Sequence, residues 1–205
     1  MMESKSPFGP ATQKYWNRRH QYFDKFDDGI ETDAEGLYSV VPQEVGAQQA
    51  ALLKSSKVVD GFAGIGGNTI AFAFAGKHVV AIDANETRLT MCRHNAGIYG
   101  VDGRIDFVHG DFVELVPKFA DAGAVYLDPP WGGPAYKEQG AFTLRDFDLD
   151  GDALLDLVVP LFDEVLLRVP RTFDEAELER HGRGWRVLDD LSAGRTVSRS
   201  ALLTR

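Results

Sequence analysis

Cysteine is almost missing from this chain. Its 205 residues contain one, Cys92, which rules out an internal disulfide framework and any CxxC metal site and fits a reducing compartment. No apolar run approaches the roughly 20 residues that a membrane span needs, and the opening MMESKSPFGPATQ has no hydrophobic signal core. The chain therefore reads as intracellular, of nucleus or cytoplasm, with no membrane partner. Basic charge is scarce as well: 22 Lys and Arg against 31 Asp and Glu leave a formal charge of −9, the opposite of the basic face that wide contact with a nucleic-acid backbone requires. Any nucleic acid must be held by a small, local contact. Repeats and low-complexity linkers are also absent, and 205 residues, 44% of them hydrophobic, suffice for one sizeable core.

What is present is an alternation of short β-rich runs with longer amphipathic ones. Strands are predicted at 57–62, 77–83, 104–111, 124–128, 164–170, 184–191 and 196–205. Helical segments are predicted at 67–75, 86–99, 112–120, 151–160 and 173–181. Alternating strand and helix signals a parallel sheet covered on both faces. The last two strands are separated only by the turn SAG, 192–194, so they should form an antiparallel hairpin. The aromatic and basic stretch KYWNRRHQYFDKF, 14–26, is expected to form a helix outside the sheet. The division expected is an N-terminal helical extension, 1–50, and an α/β core, 51–205.

Ligands of open α/β sheets bind beyond the carboxyl ends of the strands. The first strand ends in VVDGFAGIGGNT, 58–69, a glycine-rich strand-to-helix turn where backbone N–H groups can approach a ligand. Its form, acid-x-x-x-Gly-x-Gly, fits a methyl-donor site better than GxGxxG, and the turn lacks the Lys-Ser/Thr ending of a nucleotide triphosphatase loop. Asp60, Gly64 and Asn68 are its cofactor candidates, with Asp60 placed for an amino group. Asp83 ends the second strand about twenty residues on, suited to ribose hydroxyls, and Asp111 follows the third, suited to an adenine amine. Each acid alone also fits a helix cap or a solvated strand end. Together they favour S-adenosylmethionine over NAD or ATP.

The fourth strand delivers DPPWGGPAY, 128–136. Two prolines pre-set a rigid turn that can hold Asp128 and the carbonyls around Pro129 toward a planar amine, and Trp131 supplies a stacking face. Asp-Pro-Pro-aromatic after the fourth strand resembles the target loop of class I methyltransferases that modify exocyclic amines of bases. No metal is expected.

The motifs YWNRRHQYFDKFDDGIETDAEGLYSVVPQEV, VVDGFAGIGGNTIAFA, GKHVVAIDAN, HNAGIYGV, IDFVHGDF and LDPPWGGPAY, in this order, resemble the trimethylguanosine synthases, which methylate N2 of the 7-methylguanosine cap of small nuclear and nucleolar RNAs. The resemblance runs from about residue 14 to the PR at 170–171. It implies a Rossmann-like sheet of seven mostly parallel strands, S-adenosylmethionine as methyl donor and a capped RNA as partner of a monomeric enzyme. It also implies roles for single residues: Trp131 stacking on the methylated base, Lys14, Tyr136 and Arg171 on the cap phosphates, and Phe23 and Ser39 near the cofactor. Outside the resemblance, Lys14 and Arg171 read as solvated charges, Phe23 as core and Ser39 as a cap. Better-known members carry Ser where this chain has Asp128, and SVTPE where it has SVVPQE with Val41. Three other readings compete: a ribosomal RNA amine methyltransferase, a dehydrogenase, and a cap-binding module without catalysis.

Overall fold

In the computed structural model, residues 5–132, 140–182 and 184–205 are described. The N-terminal region contributes α1 (Gln13–Trp16), α2 (Arg19–Tyr22), α3 (Ala34–Ser39) and α4 (Gln43–Leu52). The core follows as β1 (Lys57–Asp60), α5 (Gly67–Phe74), β2 (His78–Asp83), α6 (Glu86–Tyr99), β3 (Ile105–His109), α7 (Phe112–Leu115), β4 (Ala124–Leu127), α8 (Gly151–Val158), β5 (Glu164–Val169), β6 (Gly184–Ser192) and β7 (Arg195–Thr204). The seven strands lie in the order β3-β2-β1-β4-β5-β7-β6. β1 to β5 pair in parallel, and β7 runs antiparallel to both β5 and β6. Among the described residues no helix is long and apolar enough to cross a membrane.

The sheet separates two apolar layers, and the strand period of two assigns each side chain to one of them. Val58, Val79, Ala81, Ala124, Tyr126 and Leu166 face one layer. Their neighbours Val59, Val80, Ile82, Val125, Leu127 and Leu167 face the other. Burial on both faces is why β4 reads AVYL without alternation. Tyr22, Phe23, Phe26, Ile30 and Leu37 belong to the same buried cluster as Val58 and Tyr126, so the N-terminal region packs onto the sheet.

Three predicted helices differ from the structure. The 14–26 stretch is α1, α2 and a 3₁₀ turn, Phe26–Asp28. Its bends return Phe26 edge-on to Trp16, with ring centroids 5.4 Å apart, whereas a straight helix would separate residues ten apart by about 15 Å. The 112–120 stretch is α7 followed by the 3₁₀ segment Val116–Phe119, because Pro117 lacks the N–H that would continue the helix. The 173–181 stretch is a 3₁₀ helix over Glu175–His181, opened by Asp174, which accepts from Ala176 N. The sequence also lacked any specific placement of α3 and α4. α4 lies flush on α5 because Gly46 has no side chain there: a Cβ would come within 2.9 Å of Ala71 Cβ.

Candidate active site

Strand order reverses between β1 and β4, whose carboxyl ends open on one cavity of about 1120 Å³. Single small-molecule sites occupy about 300–1,000 Å³, so this cavity has room for a nucleoside cofactor and a planar acceptor side by side. Its floor is the glycine turn after β1. Gly66 (φ 98°) caps α5 from the left-handed region. Gly64 (φ 53°) is also left-handed, and a Cβ there would meet nothing within 4 Å. The turn is thus a cradle open to a ligand.

Asp83 braces that turn. Its Oδ2 accepts from Gly64 N at 2.7 Å and its Oδ1 from Asn85 N at 2.8 Å, and the residue lines the cavity. Asp111 lines it too, with Oδ1 capping α7 through Val113 N and Glu114 N. Asn68 reaches the cavity while its Nδ2 donates to Gln49 Oε1 at 2.6 Å.

Asp60 is placed differently from its neighbours. It is 1% exposed, beneath the glycine turn and outside the cavity wall. Its Oδ2 accepts from Thr69 Oγ1 at 2.6 Å, whereas its buried Oδ1 has no hydrogen-bond partner. Burial pushes its pKa up to about 7, against the pull of the hydrogen bond from Thr69. A buried acceptor oxygen without a partner beneath the glycine turn fits the ammonium of S-adenosylmethionine. Together with Asp83 at the turn, the acceptor set fits that cofactor.

On the β4 side, Asp128, Pro129 and Trp131 all line the cavity. Parallel pairing of Leu127 with Leu167 brings the next residues, Asp128 and Arg168, side by side. Arg168 Nη1 donates to Asp128 Oδ2 at 2.8 Å, and its guanidinium lies 4.7 Å from the centre of the Trp131 ring. Burial pushes the Asp128 pKa up, and the facing guanidinium, which stays protonated, pulls against that rise. Arg168 was not anticipated. The available signal was one cation inside the apolar run EVLLRVP. Tyr126 was also missed; it lines the cavity and its buried hydroxyl has no hydrogen-bond partner.

The N-terminal region closes one side with Tyr15, Tyr38, Ser39 and Val41. Arg88 of α6 ties α3 down through Asp33 (3.0 Å) and Glu35 (2.9 Å). Ser39 reaches the cavity with its Oγ donating to Glu35 O. Besides Asp60, three expected contacts fall outside the wall formed by the described residues. Phe23 is 2% exposed and packs against the Tyr99 ring, as core needs demand. Lys14 lies exposed over the Tyr15 ring. Arg171 is exposed just after Pro170. Tyr136 lies outside the described residues.

A seven-stranded sheet with one reversed hairpin, a glycine cradle and an Asp-Pro-Pro-Trp loop at the switch point defines a class I methyltransferase. The fold is shared with a putative methyltransferase from Porphyromonas gingivalis W83 (TM-score 0.69, 15% identity, 98% of this chain and 52% of that one). It is shared also with TrmN from Thermus thermophilus (TM-score 0.58, 22% identity, 91% and 52%). Residues 55–191 match the family of RNA cap guanine-N2 methyltransferases, and the chain belongs to that family, whose methyl donor is S-adenosylmethionine. It is 33% identical to the trimethylguanosine synthase of Schizosaccharomyces pombe, over 86% of this chain and 77% of that protein. With the trimethylguanosine synthase of Saccharomyces cerevisiae it shares 31% identity, over 83% of this chain and 58% of that protein.

Proposed function

We propose that the chain methylates the exocyclic N2 of a 7-methylguanosine cap, giving 2,7-dimethyl- and, on a second round, 2,2,7-trimethylguanosine. The observation that carries this reading is that Asp128 and Trp131 share one cavity with the glycine cradle and Asp83. An amine resting against Asp128 is therefore beside the cofactor. When bound, S-adenosylmethionine supplies an electrophilic methyl group on a sulfonium.

The chain's own contribution is orientation and charge. The N2 lone pair is delocalised into the guanine ring, so alignment matters most; effective molarities for well-oriented groups reach about 10⁵–10⁸ M. Asp128 accepts an N2–H and faces the positive charge that grows on nitrogen as the bond forms. Trp131 attracts the cationic ring of 7-methylguanine, an interaction of about 0.5–2 kcal/mol. Asp83 is assigned to the ribose hydroxyls, Asp111 to the adenine amine, and Gly64 and Asn68 to the cofactor's polar edge. Lys14, Tyr136 and Arg171 are assigned to the cap phosphates, a contact small enough for a chain of charge −9. The proposed partner is the small nuclear or nucleolar class of capped RNA, bound by a monomer.

Mass spectrometry of 7-methylguanosine diphosphate incubated with enzyme and S-adenosylmethionine tests the reading. One or two added methyl groups at N2 are expected. Methylation of uncapped ribosomal RNA fragments with none on the cap would replace it by the ribosomal RNA alternative.

A further inference from the structure

β5 opens with the buried Glu164 and is apolar from Val165 to Val169 except at Arg168, whose neighbours Leu166, Leu167 and Val169 are at most 1% exposed. Its guanidinium makes four contacts. Nη1 donates to Asp128 and, at 3.5 Å, to Ser39 O, the plane lies over Trp131, and Nε donates to Ser198 Oγ at 3.1 Å. Ser198 in turn donates to Asp190 Oδ2 at 2.7 Å, and Ser200 donates to Asp190 Oδ1 at 2.6 Å. Asp190 is 2% exposed and both serines are fully buried. Gln49 of α4 donates to Asp190 Oδ2 and Ser200 Oγ, and accepts from Asn68 at the cavity wall. One hydrogen-bonded chain thus joins both sides of the cavity through the hairpin β6–β7, which supplies none of the described lining residues.

Such a network is costly to keep. Desolvating a buried ion pair often exceeds what its attraction returns, and apolar residues of the same size usually serve stability as well or better. A leucine at 168 would suit the strand. What the charges provide is fixed geometry where the acceptor loop needs it, since fully satisfied buried networks rigidify their surroundings.

We propose that Arg168 is a positioning residue for methyl transfer, fixing the Asp128 carboxylate and the Trp131 plane, and that Asp190, through Ser198, fixes Arg168. The proposal rests on the cap-methylating reading, since Asp128 and Trp131 control the rate only if an amine lies against them. Asp128 then acts as an oriented acceptor with Oδ2 committed to Arg168, and not as a freely moving base.

The test is single-turnover methyl transfer to 7-methylguanosine diphosphate across pH for wild type, Arg168→Met, Arg168→Lys and Asp190→Asn. Calorimetric affinities for that acceptor and for S-adenosylmethionine, and thermal unfolding, are measured alongside. Misplacement of reacting groups by about 1 Å costs on the order of 100-fold. Arg168→Met should accordingly lose about 30- to 100-fold in rate with both affinities within about threefold. Arg168→Lys should regain part of the rate, and Asp190→Asn should lose about 3- to 10-fold. The pH profile of Arg168→Met should move to higher pH than that of wild type, because an Asp128 carboxyl left among Asp60, Tyr126 and Asp190 without the guanidinium ionises later. A merely structural role would change stability without moving that profile. Wild-type rates and profiles in Arg168→Lys and Asp190→Asn would overturn the proposal even if Arg168→Met fails to fold. So would a rate loss in Arg168→Met that is fully explained by lost affinity. A wild type inactive on the cap overturns the cap reading and this proposal together, whereas an active wild type matched by its variants overturns the proposal alone.

Discussion

Asp60→Asn should make the protein more stable above neutral pH while weakening its hold on the cofactor. The Asp60 carboxyl is 1% exposed, has one satisfied oxygen and one open one, and titrates near 7 instead of 3.8. Burial is the main cause, and the nearby Asp128 and Asp83 charges add to it. Between those two pKa values the folded chain holds a proton that the unfolded chain has lost, so stability falls as pH rises through this window. At about 1.4 kcal/mol per unit, the full cost reaches about 4 kcal/mol once pH exceeds 7. The asparagine side chain still accepts from Thr69 and does not ionise. Urea unfolding of both proteins should show their stability difference changing by about 3 kcal/mol in favour of the variant from about pH 5 to about pH 8. Cofactor affinity should follow the opposite course. An ammonium against Oδ1 favours the ionised carboxyl, so affinity for S-adenosylmethionine should rise with pH up to about 7 and then level off, with proton release below that point. Calorimetry in buffers of differing ionisation enthalpy detects that release. Parallel stability curves and identical binding profiles for the two proteins would refute the assignment of a raised, cofactor-linked carboxyl.

Three further outcomes are expected. Asp83→Ala should weaken S-adenosylmethionine binding by about 1.5–3 kcal/mol, since it removes a charged acceptor and frees the Gly64 and Asn85 amides; unchanged calorimetric affinity would contradict it. Trp131→Ala should weaken binding of 7-methylguanosine diphosphate by about 2- to 30-fold, with a much smaller effect on unmethylated GDP. Equal losses for both nucleotides in fluorescence titrations would reduce the indole to a hydrophobic wall. Gly66→Ala should lower stability by about 1–3 kcal/mol, because its φ is 98° and the new Cβ would sit 2.8 Å from Cys92 Sγ; a urea midpoint equal to wild type would contradict this.

The sheet was legible because burial leaves a simple pattern. Runs such as AVYL and KVVD are apolar on both faces, and the glycines and acids that end them mark the ligand side. The N-terminal region was less legible because its helices bury little contrast. α4, QEVGAQQAAL, turns Val45, Gly46, Gln49 and Ala50 inward, and two of those four would suit a solvated face equally well. Gly46 is there for close approach to Ala71, and Gln49 for the buried network with Asp190 and Asn68. Neither reason exists until the partner element is in place.

The candidate site divides along the same line. Gly64, Asp83, Asp111 and Asp128 follow their own strands, and position along the chain is enough to bring them to one rim. Phe23, Lys14 and Arg171 were placed at the site by resemblance alone, and none lies in the wall that the described residues form: Phe23 is buried, and Lys14 and Arg171 are exposed. Asp128 is the case where one residue misleads. Read singly, a carboxylate where better-known relatives have serine poses a question about a base. Read with the register of β4 and β5, it is half of a pair, because a second buried charge stands forty residues away at the next rung. A lone aspartate there would add buried negative charge near Asp60 and Asp190 that nothing offsets. Arg168 offsets part of that penalty, since its guanidinium pulls against the rise that burial imposes on the carboxyl. A lone cation in an apolar strand is therefore a pointer to the next rung of its neighbour, and here that rung is the acceptor loop.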